Sequence, residues 1–309
     1  MAVSAAFLVF LGYGFDRFYI GEGEFVYPVG TLAAFGLGSV SAFSSYYSGD
    51  RAVLFSTGAV SIDRALSAAS TQDDTLKLRQ LDNVVEEMSI AAGLPKPKVY
   101  IVPDPDPNAF ATGRDAEHAS IAVTRGLLDT LTRDELQGVV AHELSHVRNL
   151  DIRLMTVIAA MVGTMALLSD WAGRGLRHSS GGDASRRGRS KDKGGGAIIL
   201  LVIWIVTILL APIIGQMLAM MVSRRREYLA DATGAELTRN PLALARALEK
   251  IEHAHAPTMS VKRGTAHLCI ADPLGRAMGL RQGWVPDLLA SHPPMANRIT
   301  ALQQMGFQA

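Results

Sequence analysis

Apolar residues along this chain fall into two patterns, unbroken runs and periodic stripes. The longest run, residues 197–222 (AIILLVIWIVTILLAPIIGQMLAMMV), holds no ionisable side chain. As a helix it would extend roughly 39 Å, against a bilayer hydrocarbon core of about 30 Å. It predicts a transmembrane helix, kinked at Pro212 in a way that neighbouring helices tolerate. Residues 25–47 predict a second one, uncharged and rich in Gly, Ala and Ser, with Phe25, Tyr27, Tyr46 and Tyr47 at its ends, where interfacial aromatics sit. Residues 1–15 are apolar but would span only about 22 Å as a helix. No Lys or Arg precedes them, as a secretory signal would require, so they read as a short anchor or a clipped first helix. A fourth run, residues 154–168, is also short and closes with Asp170 and Trp171 at an expected interface.

Between the runs the pattern turns periodic. Leu76, Leu78, Leu81, Val85 and Met88 predict a helix over Thr75 to Ala92, ended by Gly93 and Pro95. KVYIV predicts a strand, PDPDPNAFATG a turn leading into a short extended piece, and Ala119 to Thr124 a second strand. Thr132 and Glu135 have the spacing of a capping box. The helix they open carries a buried stripe of Leu136, Val139, Val140, Leu144 and Val147. The predicted class is therefore mainly α with a small β-sheet (α+β).

Composition narrows the classes. The 309 residues are 49% hydrophobic, more than a soluble core of this size needs, so a membrane protein comes first. Thirty basic residues face 29 acidic ones for a net charge of +1, which gives no support to nucleic-acid binding. The single cysteine, Cys269, excludes an intrachain disulfide and a multi-Cys zinc ribbon, so any metal must rest on His and carboxylates. Cys269 itself reads as a small buried hydrophobe and His267 as a core histidine. Residues 173–196 are Gly/Ser-rich and basic and predict a solvated disordered loop, or else a tether to anionic headgroups.

The chemistry lies in HELSH, residues 142–146. His142 and His146 stand one helical turn apart on one face, so both imidazoles can reach one tetrahedral ion, with Glu143 beside it as a base for a water whose pKa zinc lowers. Alone, the pattern also fits two partly buried histidines on an amphipathic helix. A third ligand is needed, and Asn149 and Ile152 exclude the elongated motif with a third His six residues on. REYLADATG offers Glu227 and Asp231, one turn apart: one carboxylate for the metal, one to orient a ligand histidine. Glu236, Glu249, Glu252, His253 and His255 are rivals that spacing does not exclude.

NAFATG (108–113), HELSHVRNLD (142–151), EYLADATG (227–234) and SHPPMANRI (291–299), in this order around apolar hairpins, resemble the HtpX family of membrane zinc metallopeptidases, distantly similar to the CAAX prenyl proteases. The resemblance runs from about Val9 to near the C-terminus. It implies an integral membrane zincin-type metalloprotease domain with about four hydrophobic helices. One Zn2+ per chain would rest on His142, His146 and Glu227, with Glu143 as base and Asp231 orienting a ligand. Members of that family degrade misfolded or damaged membrane proteins from the cytosolic side of the cell membrane. Beside the resemblance, Asn108, Ala109, Phe110 and Ala111 are placed to offer main-chain groups to a substrate strand. His292 can donate to a developing oxyanion, with Arg298 holding it or the substrate. The expected parts are a membrane hairpin over 1–47, catalytic segments over 48–152 and 223–309, and a second hairpin over 153–222. Unfolded or misassembled membrane proteins and the bilayer are the expected partners, and oligomeric state is not legible.

Two orientation signals disagree. Asp16, Glu22 and Glu24 on one side, and Arg51 with Arg224, Arg225 and Arg226 on the other, place the catalytic segments in the cytosol. Yet the loop 173–196, with seven Lys/Arg and two Asp, would then emerge outside if both flanking runs cross. A prenyl-protein processing protease and a non-proteolytic zinc-binding scaffold are the alternative functions. The small number of apolar runs opposes the first, and an intact Glu143 opposes the second.

Overall fold

The computed structural model describes residues 29–154, 156, 225–254, 268–271 and 293–308. Residues 1–15, 173–196 and 197–222, nearly all of 154–168, and His255, His267 and His292 lie outside the described residues. The chain divides into two compact units, one of residues 1–47 with 161–215, the other of 48–160 with 216–309. All the site residues described below belong to the second.

Helix α1 (Val29–Ser56) runs on well past Tyr47, where the uncharged run was expected to end. It exposes Leu32, Val40 and Phe43. Among the described residues no helix is long and apolar enough to cross a membrane. A short strand β1 (Val60–Ser61) and helix α2 (Ile62–Ala68) follow. Helix α3 (Gln72–Ala92) starts earlier than its apolar period suggests, because the Thr71 hydroxyl accepts from the Asp74 N–H at 3.1 Å and caps the first turn. Leu76, one of the apolar positions that predicted the helix, is 58% exposed. It lies on the opposite side of the helix from Leu78 and Leu81, which meet the core. Gly93, at φ 67, closes the helix in the left-handed conformation that glycine adopts without steric cost.

Strands β2 (Lys98–Val102), β3 (Ala109–Thr112) and β4 (Ser120–Thr124) join β1 in the order β1-β2-β4-β3. β2 and β4 are parallel, while β1 on β2 and β3 on β4 are antiparallel. β3 is thus an edge. Period-two alternation sends Val99, Ile101, Ala109, Ala111, Ile121 and Val123 into the main core and Val102, Phe110 and Ala122 into a second cluster with Cys269. Helix α4 (Arg125–Thr130) leads to α5 (Arg133–Arg148). Helix α6 spans 225–238, α7 is Pro241–Glu252 and α8 is Met295–Gln308. The fold is mostly helical with a small mixed sheet, as expected.

Between Leu136 and Val147, every residue of α5 but Gln137 is buried. A helix enclosed this fully buries its polar residues too, and they need partners. At its start the Thr132 N–H donates to Glu135 at 2.8 Å, the cap foreseen from the spacing, and the same carboxylate accepts from Lys250 of α7 at 2.7 Å. Burial works against the Glu135 charge, but the Lys250 and Thr132 bonds outweigh it and hold the carboxyl below its ordinary value.

Replacing Glu135 with Ala removes both the cap and the tie to α7, and should cost about 1–3 kcal/mol in thermal or denaturant unfolding at pH 7. A carboxyl depressed in the folded state contributes fully above its unfolded value and loses that contribution as pH falls through the folded one. The gap between parent and variant should therefore narrow in acid; a gap that widens would contradict the assignment.

Candidate metal centre

Helix α5 brings His142 and His146 to one face, as their spacing requires, and α6 lays Glu227 across them. His142 Nε2 lies 3.7 Å from Glu227 Oε2, and His146 Nε2 lies 3.6 Å from Glu227 Oε1. One ligand atom from each of the three falls within 4.8 Å of the others. Two ligands about 2.1 Å from a tetrahedral ion stand about 3.4 Å apart, so the Nε2 and carboxylate atoms already have nearly the spacing a zinc ion needs. The other ring nitrogens face away, His142 Nδ1 to Asp231 at 2.9 Å and His146 Nδ1 to Asp151 at 3.1 Å. This is the usual arrangement of metal-ligating histidines, each held from behind by a carboxylate.

Charge gives an independent test of fit. Glu143, Glu227, Asp231 and Asp151 are each no more than 2% exposed. Among the described residues, two guanidinium groups, Arg298 and Arg226, stand against these four carboxylates. The excess of negative charge is what a divalent cation neutralises, and an uncompensated buried charge is costly. Burial raises the Glu143 carboxyl to about 7; His146 opposes the rise, Glu227 adds to it, and the Ala111 main-chain N–H, which donates to Glu143, works against it. Asp231 responds oppositely. Burial would raise it, but Arg298 dominates and holds it at about 2. Burial lowers His142, favouring the neutral ring that binds metal. His146 is raised, since Asp151 and Glu227 outweigh its burial.

Several expectations are refined by these positions. Arg298, expected to hold His292 or a substrate, is wholly buried and donates to both Asp231 oxygens, at 2.7 and 2.8 Å, while lying 3.1 Å from Glu227. A guanidinium so enclosed needs carboxylate partners, and the two on α6 supply them. It braces the metal ligands rather than reaching a substrate. Asn108 is likewise buried; its amide donates to the Ala271 carbonyl at 3.1 Å, and its oxygen accepts from the Ala109 N–H at 3.0 Å. The Thr124 N–H bonds the Asn108 carbonyl, so in this antiparallel pair Ala109 and Ala111 turn their main-chain groups to the open edge. There Ala109 accepts from Ile270 at 2.9 Å and Ala111 meets Glu143. Phe110 packs in the second cluster, beside Cys269.

Four of the five rival third ligands, Glu236, Glu249, Glu252 and His253, are described and lie outside the triad. Glu236, Glu252 and His253 are exposed, and Glu249 accepts from Gln303 at 3.1 Å. A second group of possible ligand atoms, Asp115, Glu117 and His118, is half to fully exposed and tied to itself and Arg114. Sequence reading gave no part to Asp151 or Gly234. The second had a visible signal, a glycine inside a helical stretch. A Cβ added at Gly234 would lie 3.1 Å from the His142 nitrogen and 3.3 Å from its Cα, so α6 crosses α5 at near main-chain contact.

Comparisons with known proteins agree. The sequence pattern of peptidase family M48 matches residues 75–306. A protease HtpX homologue of Caldanaerobacter subterraneus is 45% identical over 261 residues, covering 84% of this chain and 80% of that one. Another, from Thermoanaerobacter pseudethanolicus, is 48% identical over 225 residues, 73% and 71% of the two chains. Among solved structures, S. mikatae Ste24p superposes with a TM-score of 0.50 at 19% identity, over 97% of this chain and 63% of that longer one, which shows a shared fold.

Enlarging Gly234 to Leu should push α6 from α5, costing about 1–3 kcal/mol of stability and weakening zinc binding measured by chelator competition. Zinc held at the parental affinity would refute the close crossing as the reason for this glycine.

Proposed function

Because this chain belongs to peptidase family M48 and is a metalloprotease, we propose that it is a membrane-embedded endopeptidase, with one zinc ion per chain, that cuts misfolded or damaged membrane proteins at the cytosolic face. The observation that carries the reading is the meeting of His142, His146 and Glu227 on one buried point with Glu143 alongside. A zinc ion held there supplies Lewis acidity toward water and toward the carbonyl under attack. The residues do the rest. Glu143, with a carboxyl near neutrality, takes a proton from the attacking water and returns it to the departing amine. Asp231 and Arg298 hold His142 and Glu227 in place, and Asp151 does so for His146.

A substrate strand laid along the β3 edge would be read through its main chain, at the Ala111 carbonyl rather than at the occupied Ala109 carbonyl. Recognition by backbone suits substrates defined by being unfolded rather than by sequence. His292, ahead of α8, keeps its proposed role as oxyanion donor. Membrane embedding rests on the apolar runs over 25–47 and 197–222, with Arg51 and Arg224–Arg226 setting the cytosolic side. Leu32, Val40 and Phe43, exposed along α1, suit a lipid surrounding.

Glu143→Gln should retain zinc while cleavage of an unfolded protein such as casein falls by about 10²–10⁴ or more. Cleavage at the parental rate would defeat the assigned mechanism. A cysteine introduced in the loop 173–196 should react with a membrane-impermeant thiol reagent in intact cells if both flanking runs cross. Labelling only after lysis would mean a hairpin that enters and leaves on one face.

A further inference from the structure

Both ligand imidazoles are gripped from behind by a buried aspartate, and the grip on His146 is built differently from the one on His142. Asp231 reaches His142 from another helix. Asp151 reaches His146 from only five residues along the same chain, with its Oδ2 3.1 Å from Nδ1 and both side chains buried. A regular helix does not bring positions i and i+5 together on one face, so the chain must break its period. It does so at the end of α5. The Asn149 N–H still bonds the Ser145 carbonyl at 2.9 Å, then Leu150 takes φ 59 and the backbone is helical again from Asp151. That left-handed conformation costs a residue with a Cβ about 1–2 kcal/mol. The Leu150 side chain is 50% exposed, so no core packing of its own explains the turn. What the turn achieves is the return of Asp151 beneath His146. The other Asp151 oxygen accepts from Arg226, which directly precedes Glu227 on α6.

We propose that Asp151, held by Arg226, is a positioning residue for the metal: it fixes the ring and tautomer of His146 and couples them to the arrival of Glu227. The proposal rests on reading the triad as a zinc site. A neutral imidazole that donates its Nδ1–H to a carboxylate leaves Nε2 as the electron-pair donor and makes that nitrogen more basic. Because Arg226 and Glu227 are neighbours, the bond that steadies the second ligand also ties down the stretch of α6 that carries the third. The two ligands then cannot shift independently.

The test uses the full-length chain carrying Glu143→Gln, so that affinity is read without proteolysis. Zinc binding by chelator competition, the absorption spectrum of the cobalt-substituted protein, and thermal unfolding of the metal-free form are compared across Asp151→Asn, Arg226→Ala and Arg226→Lys. Asp151→Asn keeps the size but loses the charge and should raise the zinc dissociation constant by about 10–100-fold and shift the cobalt bands, with metal-free unfolding unchanged. Arg226→Ala, which removes the guanidinium that meets the buried Asp151 charge, should give a smaller loss of affinity in the same direction, exceeding any loss of metal-free stability and partly recovered by Arg226→Lys. Affinities within about twofold of the parent would overturn the proposal. So would a loss of affinity matched by an equal loss of metal-free stability, which would assign the pair to folding alone. If the chain with Glu143 restored holds zinc yet leaves casein intact, the proposed substrate reading fails and this positioning role stands.

Discussion

Four carboxylates kept out of water within reach of two imidazoles form the constraint on which this catalytic unit turns. Removing such groups from solvent costs several kcal/mol apiece unless their charge is met. Arg298, wholly enclosed, meets part of it through Asp231 and Glu227. Arg226 meets another part through Asp151. Among the described residues the remainder is the charge that a divalent cation at this candidate site would neutralise. A carboxyl near neutrality at Glu143 is first a consequence of burial, with Glu227 adding to it and His146 opposing it, and it is also what a proton carrier needs.

The scaffold meets the constraint by surrounding one helix. α5 lies against the sheet through Ala109 and Ala111, against α3 and α7 through its apolar stripe, and against α6 where Gly234 lets the main chains approach. Small residues on these faces draw the neighbours close enough for Glu227 to reach between the imidazoles. The same closeness lets a main-chain amide of the edge strand touch Glu143, so the strand proposed to receive substrate and the group proposed to move the proton share one contact.

Enclosure also explains where side chains of familiar type take unexpected roles. Asn108 looks like a substrate contact when its strand is seen alone, yet burial commits its amide to Ala271 and to Ala109. Arg298 looks like an anion binder, yet it has no exposed surface and bonds the carboxylates of α6 and the Ile270 carbonyl. Asp151 was part of the motif stretch from the outset, and only the left-handed turn at Leu150 shows why it matters.

What the sequence determined by itself was everything set by local period. The pairing of His142 with His146, the cap made by Glu135, the strands at KVYIV and AFAT, and the core stripe of α5 follow from spacings of two, three and four residues, which the backbone geometry converts directly into neighbours. At Leu76 of α3 the apolar period foretold the helix but not burial, because period places a residue on a helix face and not against a core. Spacing left Glu227 level with Glu236, Glu249, Glu252 and His253, since these candidates lie some eighty to a hundred and ten residues beyond the motif and no local rule relates them to it; the family resemblance favoured Glu227, and the tertiary structure brings it to the two imidazoles. Their ranking depended on which helix crosses α5 at main-chain distance, and that is decided by packing, through a glycine whose value is the space it leaves.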